Sequence, residues 1–201
     1  MAMSAAQSCA ESQPDSDALR LAQEVADLRA QVEALTERLA EAERLADRDV
    51  LTPLLNRRAF LREVQRAIAV ARRHGSPACI IYFDLDSFKA INDRHGHAAG
   101  DAALIAVAER LLAAVREEDA VGRIGGDEFA VLLQRADAAA AAHKAEALRE
   151  AIARAAVAIP EGPAFHVGLT YGVREIGGAD RAEQALAEAD AAMYMRKPDR
   201  A

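Results

Sequence analysis

From Leu21 onward, apolar side chains recur in alternating steps of four and three: Leu21, Val25, Leu28, Val32, Leu35, Leu39, Ala42 and Ala46. A seam held for nearly four heptads confines residues 18–48 to a helix with one apolar stripe. With Val25, Val32 and Leu39 at a and Leu21, Leu28 and Leu35 at d, the pattern favours a parallel two-stranded coil. The flanking charges agree, since Glu24 would face Arg29 of a partner helix and Arg38 would face Glu43. The alternative is a stripe docked on the chain's own domain. A long, charged, exposed helix is poorly stable alone, which favours the dimer. The seam fades at Ala42 and Ala46, and Asp47-Arg48-Asp49 breaks it, so a second unit spans residues 49–201. Residues 1–17 are rich in Ser, Ala, Gln and Asp without periodicity and are expected to be disordered.

Charge and composition narrow the function classes. The 201 residues carry 25 Lys plus Arg against 32 Asp plus Glu, a net charge of −7. That balance gives no basic footprint for duplex nucleic acid, but a nucleotide's phosphates need only a metal ion and a few donors. No apolar run approaches the ~18–20 residues that span a bilayer. The N-terminus lacks the basic and apolar regions of a signal peptide, so the expectation is a cytoplasmic protein without membrane insertion. Two cysteines, Cys9 and Cys79, form neither a disulfide framework nor a zinc spacing, and Cys79 reads as an inert core thiol.

Beyond Thr52, with Pro53 in its first turn, a helix is expected over about 53–74, ended by His74-Gly75-Ser76-Pro77. Ala78-Cys79-Ile80-Ile81-Tyr82-Phe83 reads as a buried central strand. A short helix at about 87–94 and a longer one at about 99–116 follow. Strands at about 120–124 and 128–133 flank Gly125-Gly126 as a hairpin with its tip at the glycines. A helix at about 137–157, a strand over 165–176 and a helix at about 180–196 complete the chain. This order predicts an α/β (α+β) fold, a mainly antiparallel sheet covered by helices.

Two acidic clusters stand at the sheet's edges: Asp84 and Asp86 where the central strand ends, Asp127 and Glu128 at the hairpin tip. A strand end beside a hairpin tip brings Asp84 near Glu128, and clustered carboxylates are costly unless neutralised. A hard divalent cation resolves this, because Mg²⁺ commonly takes one or two carboxylates plus substrate phosphates. Gly125 and Gly126 leave room for a phosphate or base and allow a left-handed turn. Two unrelated solvated turns remain the alternative at this level.

Residues 125–129, Gly-Gly-Asp-Glu-Phe, spell the signature of the GGDEF diguanylate cyclases. The segment Asp84-Leu85-Asp86-Ser87-Phe88-Lys89-Ala90-Ile91-Asn92-Asp93, with Gly96-His97 and Gly100-Asp101, resembles the family's DxDxFKxINDxxGHxxGD. Asp49-x-Leu51-Thr52 with Asn56-Arg57-Arg58 is similar to its opening DxLTxxxNRR, and Asp190-x-Ala192-Met193-Tyr194 to its last helix. The resemblance covers about 49–197 and implies a palm-like nucleotidyl cyclase domain behind a coiled-coil dimerisation helix.

The resemblance also implies roles. Asp84, the Leu85 carbonyl, Glu128 and Asp127 would bind Mg²⁺ (or Mn²⁺ in its place), which would bridge the triphosphate of GTP. Asp127 would act as base toward the ribose 3′-hydroxyl, with Glu128 as its catalytic neighbour. Asn92 and Asp101 would read the guanine edge, whose acceptor and donors suit an amide and a carboxylate. Lys89 and Lys197 would contact phosphates beside Gly125 and Gly126. Arg116 and Asp119 match an RxxD site at which the product, cyclic di-GMP, inhibits. The bland readings are that Asn92 caps a turn, Asp101 caps a helix and Arg116 decorates a helix C-terminus.

The implied activity condenses two GTP into cyclic di-GMP and two pyrophosphates across a homodimer tethered by the coil. The rival readings are a catalytically silent domain that senses cyclic di-GMP or GTP, and a coiled-coil adaptor with a passenger domain. Three departures from the family stand out. Pro53-Leu54-Leu55 replaces Gly-Leu-Pro, Ala147 stands where an arginine often binds product, and the chain ends Lys197-Pro198-Asp199-Arg200-Ala201 where KxxGRN is usual.

Overall fold

The computed structural model describes residues 13–159 and 162–197, with side chains described from Leu19 onward except at 37 and 39–46. It divides into two units at Ala46/Asp47. The first is α1 (Gln13–Ala46). Residues 13–17, expected to lack order, are helical, while residues 1–12, Cys9 among them, lie outside the described residues. Along α1, Leu21, Val25, Leu28, Val32 and Leu35 are each 45–63% exposed, a continuous apolar stripe. The side chains of Leu39, Ala42, Glu43 and Ala46 lie outside the described residues.

The second unit opens on a turn rather than on the expected helix. No helix starts at Pro53. The Asp49 carboxylate instead accepts the N–H of Leu51 (3.2 Å), the N–H of Thr52 (2.9 Å) and the Thr52 hydroxyl (2.8 Å), folding 49–52 into a turn. The chain then forms a two-residue strand, β1 (Leu55–Asn56). Helix α2 (Arg57–His74) begins only where the Asn56 side chain accepts the N–H of Ala59. Gly75 closes it in the left-handed conformation (φ 66°) that glycine adopts without strain.

The remaining elements are β2 (Ala78–Leu85), α3 (Phe88–His95), α4 (His97–Ala113), β3 (Ala120–Arg123), β4 (Glu128–Gln134), α5 (Ala138–Arg154), β5 (Leu169–Ile176) and α6 (Ala182–Tyr194). The sheet order is β1-β3-β4-β2-β5. Every pairing is antiparallel except β1 with β3. Helix α4 stops three residues short of the expected end. The Asp119 carboxylate takes the N–H groups of Arg116 and Gln134, both at 3.0 Å, and turns the chain into β3. Phe165, expected in the last strand, pairs instead with Val157 across an isolated bridge.

β2 is buried along its whole length, as a central strand covered on both faces must be. Its odd residues, Cys79, Ile81, Phe83 and Leu85, pack with α4 and α5; its even residues Ile80 and Tyr82 pack with α2 and α6. Cys79 is a free thiol in the first of these cores, pushed up to about 12 by burial and then by Glu175 and Asp137.

Candidate active site

The even-numbered face of β2 ends in Asp84, whose partner across the ladder is Glu128, the first residue of β4. Residues directly opposite in an antiparallel pair hold their Cβ atoms ~5 Å apart. Sequence reading thus places the two carboxylates correctly, and the register is what joins them. Asp84 is only 6% exposed. Its charge is balanced by Lys197, whose Nζ lies 2.8 Å from Oδ1. Lys197 reaches it from the turn that ends α6, where its N–H donates to the Tyr194 carbonyl. The neighbouring Arg196 lays its guanidinium over the Tyr171 ring, 4.8 Å from the centroid.

Among the described residues Glu128 has no such cation. Burial pushes its carboxyl above the usual range, the Asp190 charge adds to this, and Asp84 and Asp127 contribute less; the nearby Tyr82 hydroxyl acts the other way. The Tyr82 phenol is itself driven upward by burial and then by the charges of Glu128 and Asp190. The left-handed turn expected of the two glycines is not formed. Neither adopts a positive φ. Gly125 supplies space, since a Cβ there would stand 2.0 Å from Glu128 Oε2, and Gly126 faces open surroundings.

The signature turn is braced by two residues that the motif reading left without a role. Arg123 donates to the Gly126 carbonyl through Nε (3.2 Å) and Nη2 (2.7 Å), and its Nη1 donates to Asp49 (3.1 Å). Burial pushes the Asp49 carboxyl up, but hydrogen bonds from Thr52 and Arg123 outweigh it and hold the group below the usual carboxylate range. On the other side of the turn, the Leu85 N–H donates to the Asp127 carbonyl (3.0 Å). Asp86, two residues beyond Asp84, accepts from the Thr170 hydroxyl (2.6 Å).

Asn92 lies on α3 and Asp101 on the adjoining α4. A Cβ on Gly100 would stand 2.0 Å from Asn92 Oδ1, so this glycine lets the amide lie against α4 one residue from Asp101. Asp101 is exposed and sits inside the helix, which starts at His97 behind Gly96, so it is not a cap. Lys89 is exposed in the first turn of α3. Arg116 lies in the turn after α4, not at a helix C-terminus, and is exposed within 3.8 Å of Glu118. Both Asp119 oxygens already accept backbone N–H groups, which leaves each a second lone pair. Arg149, close to the family's arginine position at Ala147, is bound to Glu146, which also accepts from the Tyr171 hydroxyl. Arg200 lies outside the described residues.

Among the described residues no cluster of three or more His, Cys, Asp and Glu is arranged to cage an ion. Two facing carboxylates beside a backbone carbonyl nevertheless fit Mg²⁺, which keeps several waters and takes the rest of its shell from phosphates. The ammonium of Lys197 on a buried carboxylate marks the place where a cation is needed. A separate groove of about 490 Å³ between α2 and the start of α6 includes Arg62 and Arg72 in its lining. Both are engaged, Arg62 with Asp47 and Arg72 with the Gly178 carbonyl. No helix among the described residues is long and apolar enough to cross a membrane.

Residues 46–201 match the family described as "Diguanylate cyclase, GGDEF domain". Diguanylate cyclase TpbB of Pseudomonas aeruginosa is 42% identical over 158 residues, covering 76% of this chain and 35% of that protein. Diguanylate cyclase DosC of Escherichia coli is 36% identical over 149 residues, covering 74% of this chain and 32% of that protein. The chain therefore spans about a third of the length of these relatives. Among solved structures, the coiled coil and GGDEF domain of DgcB from Caulobacter crescentus, in complex with c-di-GMP, superposes with a TM-score of 0.74. It is 31% identical, with 87% of this chain and 92% of that chain covered. Since the matched span takes in the whole second unit, with sheet, signature hairpin and acidic strand end, the chain belongs to the GGDEF family of diguanylate cyclase domains.

Proposed function

We propose that this chain is a cytoplasmic diguanylate cyclase that joins two GTP into cyclic di-GMP, releasing two pyrophosphates, across a homodimer. The observation that carries the reading is the register of β2 with β4, which sets Asp84 opposite Glu128 beside a glycine turn with space for the Glu128 carboxylate. Asp84, Glu128, Asp127 and the Leu85 carbonyl would hold a divalent metal, Mg²⁺ with Mn²⁺ as substitute, which would supply positive charge to offset that on the α-phosphate and departing pyrophosphate.

The chain's own residues do the rest. Asn92 and Asp101 hydrogen-bond the guanine edge. Lys89 and Lys197 bind phosphate oxygens, Lys197 leaving Asp84 to do so, while Gly125 and Gly126 let the nucleotide approach the turn. Asp127 accepts the proton of the 3′-hydroxyl; the oxygen attacks the α-phosphorus of the GTP held by the facing domain, and the bond to pyrophosphate breaks. Each domain holds one GTP, so the second linkage requires the same step in the opposite direction. The exposed stripe on α1 supplies the tether by pairing in parallel with a second copy, which raises the local concentration of one domain about the other. Arg116 and Asp119 bind cyclic di-GMP and restrain turnover. The DgcB structure, a coiled coil with a GGDEF domain in complex with c-di-GMP, supports both the tether and the ligand.

The test is incubation of the purified chain with GTP and Mg²⁺, with cyclic di-GMP and pyrophosphate measured by chromatography and mass. Both products are expected. GTP bound but unconverted by a confirmed dimer would refute the cyclase and leave the sensor.

A further inference from the structure

Asp84 stands between two opposite neighbours on its face of the sheet, Glu128 on β4 and Thr170 on β5. Thr170 is 8% exposed, so its hydroxyl needs an acceptor inside the protein. It donates to Asp86 Oδ1 at 2.6 Å. Asp86 is thus turned toward β5, and Gly168 makes room for it there. A Cβ at Gly168 would stand 2.7 Å from Asp86 Oδ2 and 3.3 Å from Asp86 Cβ. The backbone is fixed from the same side, since the Asp86 N–H donates to the Gly168 carbonyl at 3.0 Å.

These bonds decide where the Leu85 carbonyl points. In the planar trans peptide joining Leu85 to Asp86, the C=O and the N–H are opposed. With the N–H held on the β5 side, the carbonyl leaves on the β4 side, where Glu128 lies. The Leu85 N–H points that way too, onto the Asp127 carbonyl at 3.0 Å. One residue beyond Asp86, Ser87 takes the left-handed conformation (φ 57°, ψ 30°), which a non-glycine residue keeps only where its surroundings enforce it. Its side chain makes no capping bond, while its carbonyl accepts the N–H groups of Ala90 and Ile91. The Asp86 anchor therefore stands between the Leu85 carbonyl and the helix that carries Lys89 and Asn92.

A carboxylate two residues from Asp84 invites the reading that it is one more metal ligand. Its geometry says otherwise: one oxygen takes the Thr170 hydroxyl, and the other lies against Gly168. We propose that Asp86 is a positioning residue, anchored by the Thr170 hydroxyl, that aims the Leu85 carbonyl at the metal site formed with Asp84 and Glu128. The inference rests on the reading of those three groups as metal ligands. Partners that orient a ligand without touching the metal contribute about 10–100-fold to its affinity.

The test is Mn²⁺ titration of the metal-free, nucleotide-free chain, followed by the loss of the free-ion electron paramagnetic resonance signal, with a thermal melt of each protein. Thr170→Val removes the hydroxyl, and Gly168→Ala puts a methyl where the Asp86 carboxylate lies. Both are expected to weaken Mn²⁺ binding by about 10-fold. Thr170→Ser keeps the hydroxyl and Asp86→Asn keeps an oxygen that accepts from it, so both should titrate close to wild type. Glu128→Gln, which strips a ligand's charge, should lose the most. A role in stability alone would lower the melting temperature of Thr170→Val without moving its titration. The proposal is overturned if Thr170→Val or Gly168→Ala binds like wild type, or if Thr170→Ser binds as weakly as Thr170→Val. It is also overturned if Asp86→Asn loses as much as Glu128→Gln, since Asp86 would then be a ligand. If Glu128→Gln itself binds Mn²⁺ like wild type, the metal assignment fails, and the role of Asp86 fails with it.

Discussion

Replacing Lys197 by Met removes the ammonium that balances Asp84 while keeping most of the side chain's length. The ion pair is short, 2.8 Å, with its two side chains 19% and 9% exposed. Stripping one partner from a fully buried pair costs about 3–5 kcal/mol, and losing one hydrogen bond to a charged group about 1.5–3 kcal/mol. With water reaching the lysine, about 2 kcal/mol is the expected loss in metal-free protein. For a cooperative unit of about 150 residues, that lowers the melting temperature by about 4–8 °C. Divalent metal changes the sign of the comparison. In the wild type an ion reaching Asp84 must first displace Lys197; in the variant it meets an uncompensated carboxylate. Circular dichroism melts in EDTA and in excess Mg²⁺ should therefore show a larger metal-induced rise for Lys197→Met than for wild type. Identical melting in EDTA would show that the pair contributes no stability. Equal rises in Mg²⁺ would show that lysine and metal do not share the Asp84 carboxylate.

Gly125→Ala places a methyl where Glu128 Oε2 now lies; turnover should fall at least about 10-fold while melting barely changes, because the clash is with the free end of a side chain. Asp49→Asn should destabilise the second unit at neutral pH by roughly 1–3 kcal/mol. The folded-state pKa of Asp49 lies below its ordinary value of 3.8, so its contribution is complete above that value and lost as pH falls through the lower one. Urea titrations at descending pH should therefore show the gap between wild type and variant close only below about 3.8. Arg116→Ala should relieve inhibition by added cyclic di-GMP without lowering the initial rate, and an unchanged inhibition curve would contradict the RxxD assignment.

The parts of the site that were legible in the sequence are those set by local chemistry. The apolar run Ala78–Phe83 and the turn at Gly125-Gly126 each announce themselves, and together they bring Asp84 to Glu128. Where distant residues decide, the reading fails. β1 exists because Gly122 and Arg123 offer it a parallel partner, and nothing within Leu55–Asn56 reveals this; the capping potential of Asn56 was the available signal for the true start of α2. Helix α4 ends early because Asp119, beyond its end, claims the Arg116 N–H. Gly125 and Gly126 were expected to leave room for a phosphate or base and to allow a left-handed turn; neither takes a positive φ, and Gly125, like Gly100 in the α4 segment, makes space for one particular oxygen, of Glu128 and Asn92 respectively. Lys197 reads as a phosphate contact, and its place on Asp84 follows only from how α6 lies against the sheet.

Asp49 sits in the short turn just after the two units divide, yet its carboxylate meets a guanidinium 74 positions further along the chain. That guanidinium in turn holds the carbonyl of Gly126. The loop bearing Asp127 and Glu128 thus has two moorings, one in the sheet and one in the stretch of backbone through which any pull or twist from the N-terminal side must travel. Because Asp49 is fastened at once to Leu51, Thr52 and Arg123, this stretch has little slack in which such a force could dissipate. The same bonds that hold the turn in register thus tie it to the backbone just beyond the division between the units.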